Sequence, residues 1–388
     1  MYIAAADRMH SVTEYYFSQK LREIEQMRNN GIDVINLGIG SPDLSPAKET
    51  ITALVKSSNE SNSHGYQSYK GIPELRLAFS KWYQKHFGVA LNPDQEILPL
   101  MGSKEGIMHI TMAFVNPGDE VLIPDPGYPT YGSATALMGG KVRTYALSEA
   151  NDWLPDLDLL EKEGLEKVKL MWVNYPHMPT GAKANAKFFE KLVEFGIRNH
   201  ILICNDNPYS FILNNQKLSL LATKESKTVC LELNSLSKSQ NMAGWRIGML
   251  AGHHDYIQAV LKVKSNMDSG MFKPLQIAAV KALAAPDGWY DEINRLYAER
   301  QQVALQIMKL LGCKVRPNQA GMFLWGRIPD TFSNAEELSD WLLYQAKVFM
   351  TPGVVFGANG RNHIRISLCS PIETLMEAKN RIQERLKN

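Results

Sequence analysis

Apolar positions near the start of the chain fall at helical spacing. Phe17, Leu21, Ile24 and Met27 predict an amphipathic helix that stops near Gly31. Ser11 and Glu14 are spaced as a capping box at its start. DVINLGIGSPD then reads as a short extended segment entering a glycine-rich loop. From about residue 73 the pattern alternates. PELRLAFSKWYQKHFG predicts a helix with Pro73 in its first turn and Gly88 past its end. SKEGIMHITMAFV, YPTYGSATALMGG and AKFFEKLVEFGIRNH read as further helices. EILPLMG, EVLIP, KVRTYAL, VKLMWVN, ILICN, VCLELNS and RIGMLAG read as strands. The runs VLI, LMWV and ILIC suit strands buried on both sides. Strands alternating with helices imply a three-layer α/β sandwich around a mostly parallel, mixed sheet.

After about residue 285 the rhythm changes. A long helix runs through Ile293, Leu296, Arg300, Val303, Ile307 and Leu310. Strand-like MFLWGRI, helix-like AEELSDWLLYQAKV, strand-like HIRISLC and a last helix, ETLMEAKNRIQERLK, follow. This predicts a smaller α+β domain made of residues 1–45 and 286–388, beside a large domain of residues 46–285.

Composition narrows the function classes. The chain has 388 residues, enough for two domains and a large core. Its net charge of +2 gives no reason to expect a nucleic-acid partner. No apolar run approaches the ~20 residues of a membrane span. MYIAAADRMH is charged too early for a secretory signal, so a cytoplasmic location is expected. Cys204, Cys230, Cys313 and Cys369 form no Cys-x-x-Cys pair, so neither a metal site nor a disulfide framework is expected.

The chemistry concentrates in SLSKSQNMAGWRIG, residues 235–248. Lys238 follows a strand predicted to be buried, and Arg246 opens the next one. A lysine there faces a desolvation cost, which a Schiff base to an aldehyde would relieve. Taken alone, a surface lysine on a turn is the plainer reading. Asp206 stands at the carboxyl end of ILICN, where open α/β sheets bind ligands. Capping a turn would be its ordinary role. GSKEG at 102–106 joins a strand to a helix and would offer amides to a phosphate. It lacks the spacing of a nucleotide-binding P-loop, and GIG at 38–40 is only a fragment of a dinucleotide fingerprint.

Eight separated motifs together resemble one family: GSPD, GYQSYKGIPELR, GSKEGI, DPGYPTY, NYPHMPTGA, NDNPY, SLSKSQNMAGWRIG and HIRIS. In this order they are similar to class I/II aminotransferases of pyridoxal-phosphate fold type I, over about residues 10–388. The aspartate, methionine and LL-diaminopimelate aminotransferase group is the nearest in look. The resemblance implies that Lys238 carries pyridoxal 5'-phosphate as a Schiff base and then shuttles a proton. It implies that Asp206 keeps the pyridine nitrogen protonated, Tyr209 donates to the phenolic oxygen, and Tyr128 stacks on the ring. Ser103, Lys104, Ser235, Ser237 and Arg246 would hold the phosphate, with Tyr66 arriving from the neighbouring subunit of a homodimer. Arg365 and the Gly40 amide would take the substrate α-carboxylate.

One position departs from the family pattern. Met178 in Met178-Pro179-Thr180-Gly181 stands where the family has an asparagine that donates to the phenolic oxygen. A thioether cannot donate. Asn174 and His177 are the nearby side chains expected to compensate, Asn174 as a further cofactor contact. The implied reaction is transfer of an amino group from an L-amino acid, polar or dicarboxylic, to an oxo acid such as 2-oxoglutarate. A carbon–sulfur β-lyase on the same cofactor is an alternative, since fold does not decide chemistry. A non-catalytic cofactor-binding regulator is another, but such proteins add a DNA-binding region for which this chain leaves no room.

Overall fold

The computed structural model describes residues 3–11 and 16–387. The helix predicted at the start is α1 (Tyr16–Asn29). Glu14, and with it the capping box, lies outside the described residues. The next helices are α2 (Lys48–Ser58), α3 (Pro73–Phe87), α4 (Ser103–Phe114), α5 (Thr130–Leu137), α6 (Leu157–Lys162) and α7 (Ala186–Asn199). Then come α8 (Leu236–Ser239), α9 (His254–Lys264), α10 (Lys273–Leu283) and α11 (Asp287–Leu310). The last are α12 (Ala335–Trp341) and α13 (Ile372–Lys387). Helix ends carry their expected signals. Pro73 occupies the first turn of α3, and Gly88 ends it in the left-handed region at φ 69°. The Asn185 side chain caps α7 by accepting from the Phe188 amide.

The first strand, β1 (Ile35–Asn36), is followed by β2 (Ile97–Leu100), β3 (Glu120–Asp125), β4 (Lys141–Ala146) and β5 (Val168–Val173). Next are β6 (Leu202–Asp206), β7 (Cys230–Ser235) and β8 (Gly248–Gly252). The C-terminal part adds β9 (Lys314–Val315), β10 (Phe323–Arg327), β11 (Val348–Phe349), β12 (Thr351–Pro352) and β13 (His363–Ser367). Strands β2 to β8 form one seven-stranded sheet in the order β2-β8-β7-β6-β5-β3-β4. Its centre is parallel, while β8 runs antiparallel to both neighbours. The sheet is therefore mixed and mostly parallel. Strands β12, β13, β10 and β9 form a separate antiparallel sheet, and β1 pairs in parallel with β11.

Alternate residues of the large sheet feed two cores, which is why its strands read as unbroken apolar runs. Leu170 and Trp172 of β5 pack on one side with Ile107 and Ile110 of α4 and Val260 of α9. Met171 and Val173 pack on the other with Leu192 of α7 and the α3 side chains Leu75, Phe79 and Trp82. Among the described residues, no helix is long and apolar enough to cross a membrane.

Candidate active site

Sheet topology gathers the distant motifs. Asp206 is the last residue of β6, and Ser235 the last of β7. The antiparallel pairings Leu100↔Gly248 and Ser235↔Gly248 bring the end of β2 and the start of β8 to that same sheet edge. Gly102–Lys104, Ser235–Lys238 and Arg246 are thereby neighbours, although over a hundred positions separate the first group from the others. The packing is tight enough to need glycine. A Cβ on Gly102, whose φ is 86°, would lie 2.2 Å from Arg246 Nη2.

Every residue given a site role from the sequence, except Tyr66 and His177, lines one cavity of about 420 Å³. Ser103, Lys104, Ser235, Ser237 and Arg246 line it; so do Met178 and Arg365, which meet each other, and Gly40, which meets Lys238. Asn174, Asp206, Tyr128, Tyr209 and Lys238 complete the set. Tyr66 stands apart and is 92% exposed.

The polar groups are held but not exhausted. Lys238 Nζ donates to the Gly40 carbonyl at 2.6 Å. Burial pushes its pKa below that of an ordinary lysine, with Arg365 and Arg246 adding to the effect. Asp206 Oδ2 accepts from the Tyr131 hydroxyl at 3.0 Å, while Oδ1 is buried without a hydrogen-bond partner. Burial raises the Asp206 carboxyl to about 6, against the lowering pull of Tyr131 and Lys238. The Ser103 hydroxyl is likewise buried and unpartnered. These two groups are donor and acceptor sites waiting for a ligand, since buried polar atoms are nearly always paired. A cationic ring nitrogen suits the Asp206 oxygen. A phosphate suits Ser103, at the first turn of α4, with the Arg246 guanidinium nearby. The chain thus fits pyridoxal phosphate on its own donor set.

Arg365 lies on β13 of the small sheet and faces the cavity. Its Nη2 donates to the Gly38 carbonyl at 2.7 Å. Its guanidinium carbon sits 3.9 Å from the Phe323 ring centre and 4.5 Å from that of Phe356. Aromatic faces hold a guanidinium by cation–π attraction without using up its hydrogen-bond donors. Met178 Sδ accepts from Arg365 Nη1 at 3.3 Å. Asn174 donates to the Asp206 carbonyl and accepts from the Met178 amide. Its amide thus braces the backbone. His177 Nδ1 pairs with Thr180 Oγ1 at 2.8 Å. Neither side chain is aimed as a replacement for the missing asparagine.

Sequence reasoning missed six contributors. Tyr131 binds Asp206 and stacks on Trp172, with ring centres 5.0 Å apart and planes 5° apart. Its signal was its position three residues after Tyr128, one helical turn on. Phe323 and Phe356 were hidden in apolar runs with no polar mark. Phe17, Leu21 and Ile39 form an apolar wall of the cavity, and the helical spacing that revealed α1 gave no hint of it.

Comparisons with known proteins bear on the family and the fold. The family described as aminotransferase class I and II matches residues 32–382. An LL-diaminopimelate aminotransferase of Aquifex aeolicus is 38% identical over 97% of this chain and 98% of its own length. One from Oleidesulfovibrio alaskensis is 39% identical, with coverage of 97% and 98%. The solved apo structure of BacF from Bacillus subtilis superposes with a TM-score of 0.94 at 37% identity, covering 99% of this chain and 98% of that one. An aspartate aminotransferase from Thermus thermophilus shares the fold at 22% identity, with a TM-score of 0.92 and coverage of 99% and 100%. This chain belongs to the class I and II aminotransferases, enzymes that use pyridoxal phosphate to transfer an amino group from a small amino acid to an oxo acid.

Proposed function

We propose that this aminotransferase works through Lys238, Asp206 and Arg365, and that a homodimer completes its site. One observation carries the reading: a desolvated lysine, a buried carboxylate oxygen without a partner and an aromatic-held arginine converge in one cavity. When bound, pyridoxal phosphate supplies the electron sink that makes the substrate's α-hydrogen removable. The chain's residues do the rest. Lys238 holds the cofactor covalently and then moves the proton from the α-carbon. Asp206 keeps a proton on the ring nitrogen. Tyr209 donates to the phenolic oxygen, and Tyr128 covers the ring. Ser103, the Lys104 amide, Ser235, Ser237 and Arg246 hold the phosphate. Arg365 and the Gly40 amide take the α-carboxylate. Tyr66, exposed on this subunit, enters the neighbouring site. We take residues 46–285 as the large domain, with the remainder as the small one. Four buried free thiols support a reducing, cytoplasmic location.

For the donor, the names of the relatives support LL-diaminopimelate, and an oxo acid such as 2-oxoglutarate would be the acceptor. That assignment would place the enzyme in amino acid biosynthesis. The apolar wall of Phe17, Leu21 and Ile39 favours a second reading, a donor with an apolar side chain. Mixing the loaded protein with a panel of amino acids and following the visible absorbance decides between them. Conversion by LL-diaminopimelate supports the first reading, and conversion only by leucine, methionine or phenylalanine supports the second. Release of pyruvate or ammonia without any acceptor would indicate a lyase and defeat both.

A further inference from the structure

Between β1 and α2, the glycine-containing segment Leu37–Asp43 passes through the middle of the site. Its carbonyls touch both functional cations. The Gly38 oxygen accepts from Arg365 Nη2 at 2.7 Å and from Thr351 Oγ1 at 3.0 Å. The Gly40 oxygen accepts from Lys238 Nζ at 2.6 Å. Beyond Leu37, which is buried in the core, the segment has little packing of its own: Gly38 and Gly40 have no side chains, and Ile39 is 37% exposed. There is also no spare room, because a Cβ on Gly40 would lie 2.1 Å from Phe323 Cζ. Its position is therefore set by these carbonyl contacts and by what grips its two ends.

The upstream end is held by the β1–β11 pairing and by the Leu37 amide, which donates to the Phe349 carbonyl at 2.8 Å. The downstream end is held by one guanidinium. Arg300, on α11, donates Nη1 to Asp43 Oδ1 at 2.7 Å and Nη2 to Asp43 Oδ2 at 2.8 Å. The same Nη1 donates to the Leu368 carbonyl at 3.1 Å. Leu368 directly follows β13, the strand that carries Arg365. The Arg300 side chain is 7% exposed and that of Asp43 23%, so this planar fork is a partly buried, charge-assisted clamp and not a loose surface pair.

We propose that Asp43 and Arg300 are a positioning pair for carboxylate binding. By tying the Gly38–Gly40 segment to the end of β13, they fix the spacing between Arg365 and the backbone that faces it. The inference rests on the reading of Arg365 as the carboxylate site. Neither residue lines the cavity, so neither touches substrate. Their effect passes through Gly38, Gly40 and Arg365. A bidentate carboxylate contact is sensitive to displacements of about 1 Å, so loosening the clamp weakens binding strongly. Turnover suffers less, because Lys238, which moves the α-proton, is carried by α8 and not by the clamped segment.

The test compares the cofactor-loaded wild type with Asp43→Asn, Asp43→Glu and Arg300→Lys. KM and kcat are measured for the best amino donor. Kd is measured by visible absorbance for the α-methyl analogue of that donor, which binds but has no α-hydrogen to lose. If no donor reacts, α-methyl-leucine and α-methyl-aspartate serve. Asp43→Asn is expected to raise KM and Kd about tenfold with kcat within about threefold, and Asp43→Glu to recover part of the loss. Should Asp43→Asn fail to fold, Arg300→Lys carries the same expectation. Unchanged KM and Kd beside a lowered unfolding temperature would reduce the pair to a structural role and overturn the proposal, as would a fall in kcat alone. A wild type that moves no amino group from any donor would defeat the proposed function, while the Kd comparison would still judge the clamp.

Discussion

At the scale of single residues, the site is governed by where burial leaves charge. Asp206 holds its proton more tightly in the folded chain than in the unfolded one, about 6 against an ordinary 3.8. Without cofactor, the stability this contributes is full below about pH 4 and is lost as pH rises through about 6. The loss is on the order of 2–3 kcal/mol. Asp206→Asn should therefore flatten the acidic limb of the stability profile and raise the unfolding temperature of the cofactor-free protein at pH 8. It should also weaken cofactor binding. A cofactor-free variant less stable than wild type at pH 8 would contradict this account. Met178 gives a second prediction. Its sulfur accepts from Arg365 and offers no donor to a phenolic oxygen, while Asn174 braces backbone. The nitrogen joining Lys238 to the bound cofactor should keep its proton to higher pH than it would beside an asparagine. Titrating the visible absorbance should show a lower midpoint in Met178→Asn, and an unchanged or raised midpoint would count against it.

At the scale of elements, most of the large sheet was legible because its strands are apolar on both faces and its helices carry end signals. Phe188, Leu192 and Phe195 of α7 and Leu170 to Val173 of β5 left little ambiguity. Helices α2, α9 and α10 passed unrecognised, because their apolar positions are diluted by lysines and small residues such as Lys56, Lys262 and Ala279. The site residues were legible through their fixed order of motifs. Their neighbours were not, since Phe323 meets Arg365 only after β10 and β13 pair, and Phe356 only after β12 joins β13. The loop before α2 depends on that same pairing. In Gly40→Ala the new methyl group must displace Phe323, and with it the ring under Arg365. The expected cost is about 1–3 kcal/mol of stability, with a raised KM for the amino donor. Calorimetry and steady-state kinetics on the same sample check both, and an unperturbed KM would show that Phe323 does not help place the guanidinium.

At the scale of the whole molecule, the account needs two subunits. Tyr66 is exposed and does not line the cavity of its own chain. If it serves the neighbour, mixing Lys238→Ala with Tyr66→Ala subunits should give more activity than the mean of the two parents, because one site in each mixed dimer is intact. Activity equal to that mean would mean that Tyr66 plays no such part. The deeper claim is that sheet topology brings Ser103, Asp206, Ser235 to Lys238 and Arg246 to one edge so that a single lysine can hold the cofactor. Borohydride reduction of the loaded protein, followed by peptide mapping, tests this most directly. The cofactor should be fixed on Lys238 and on no other lysine; a label elsewhere, or none, would contradict the account.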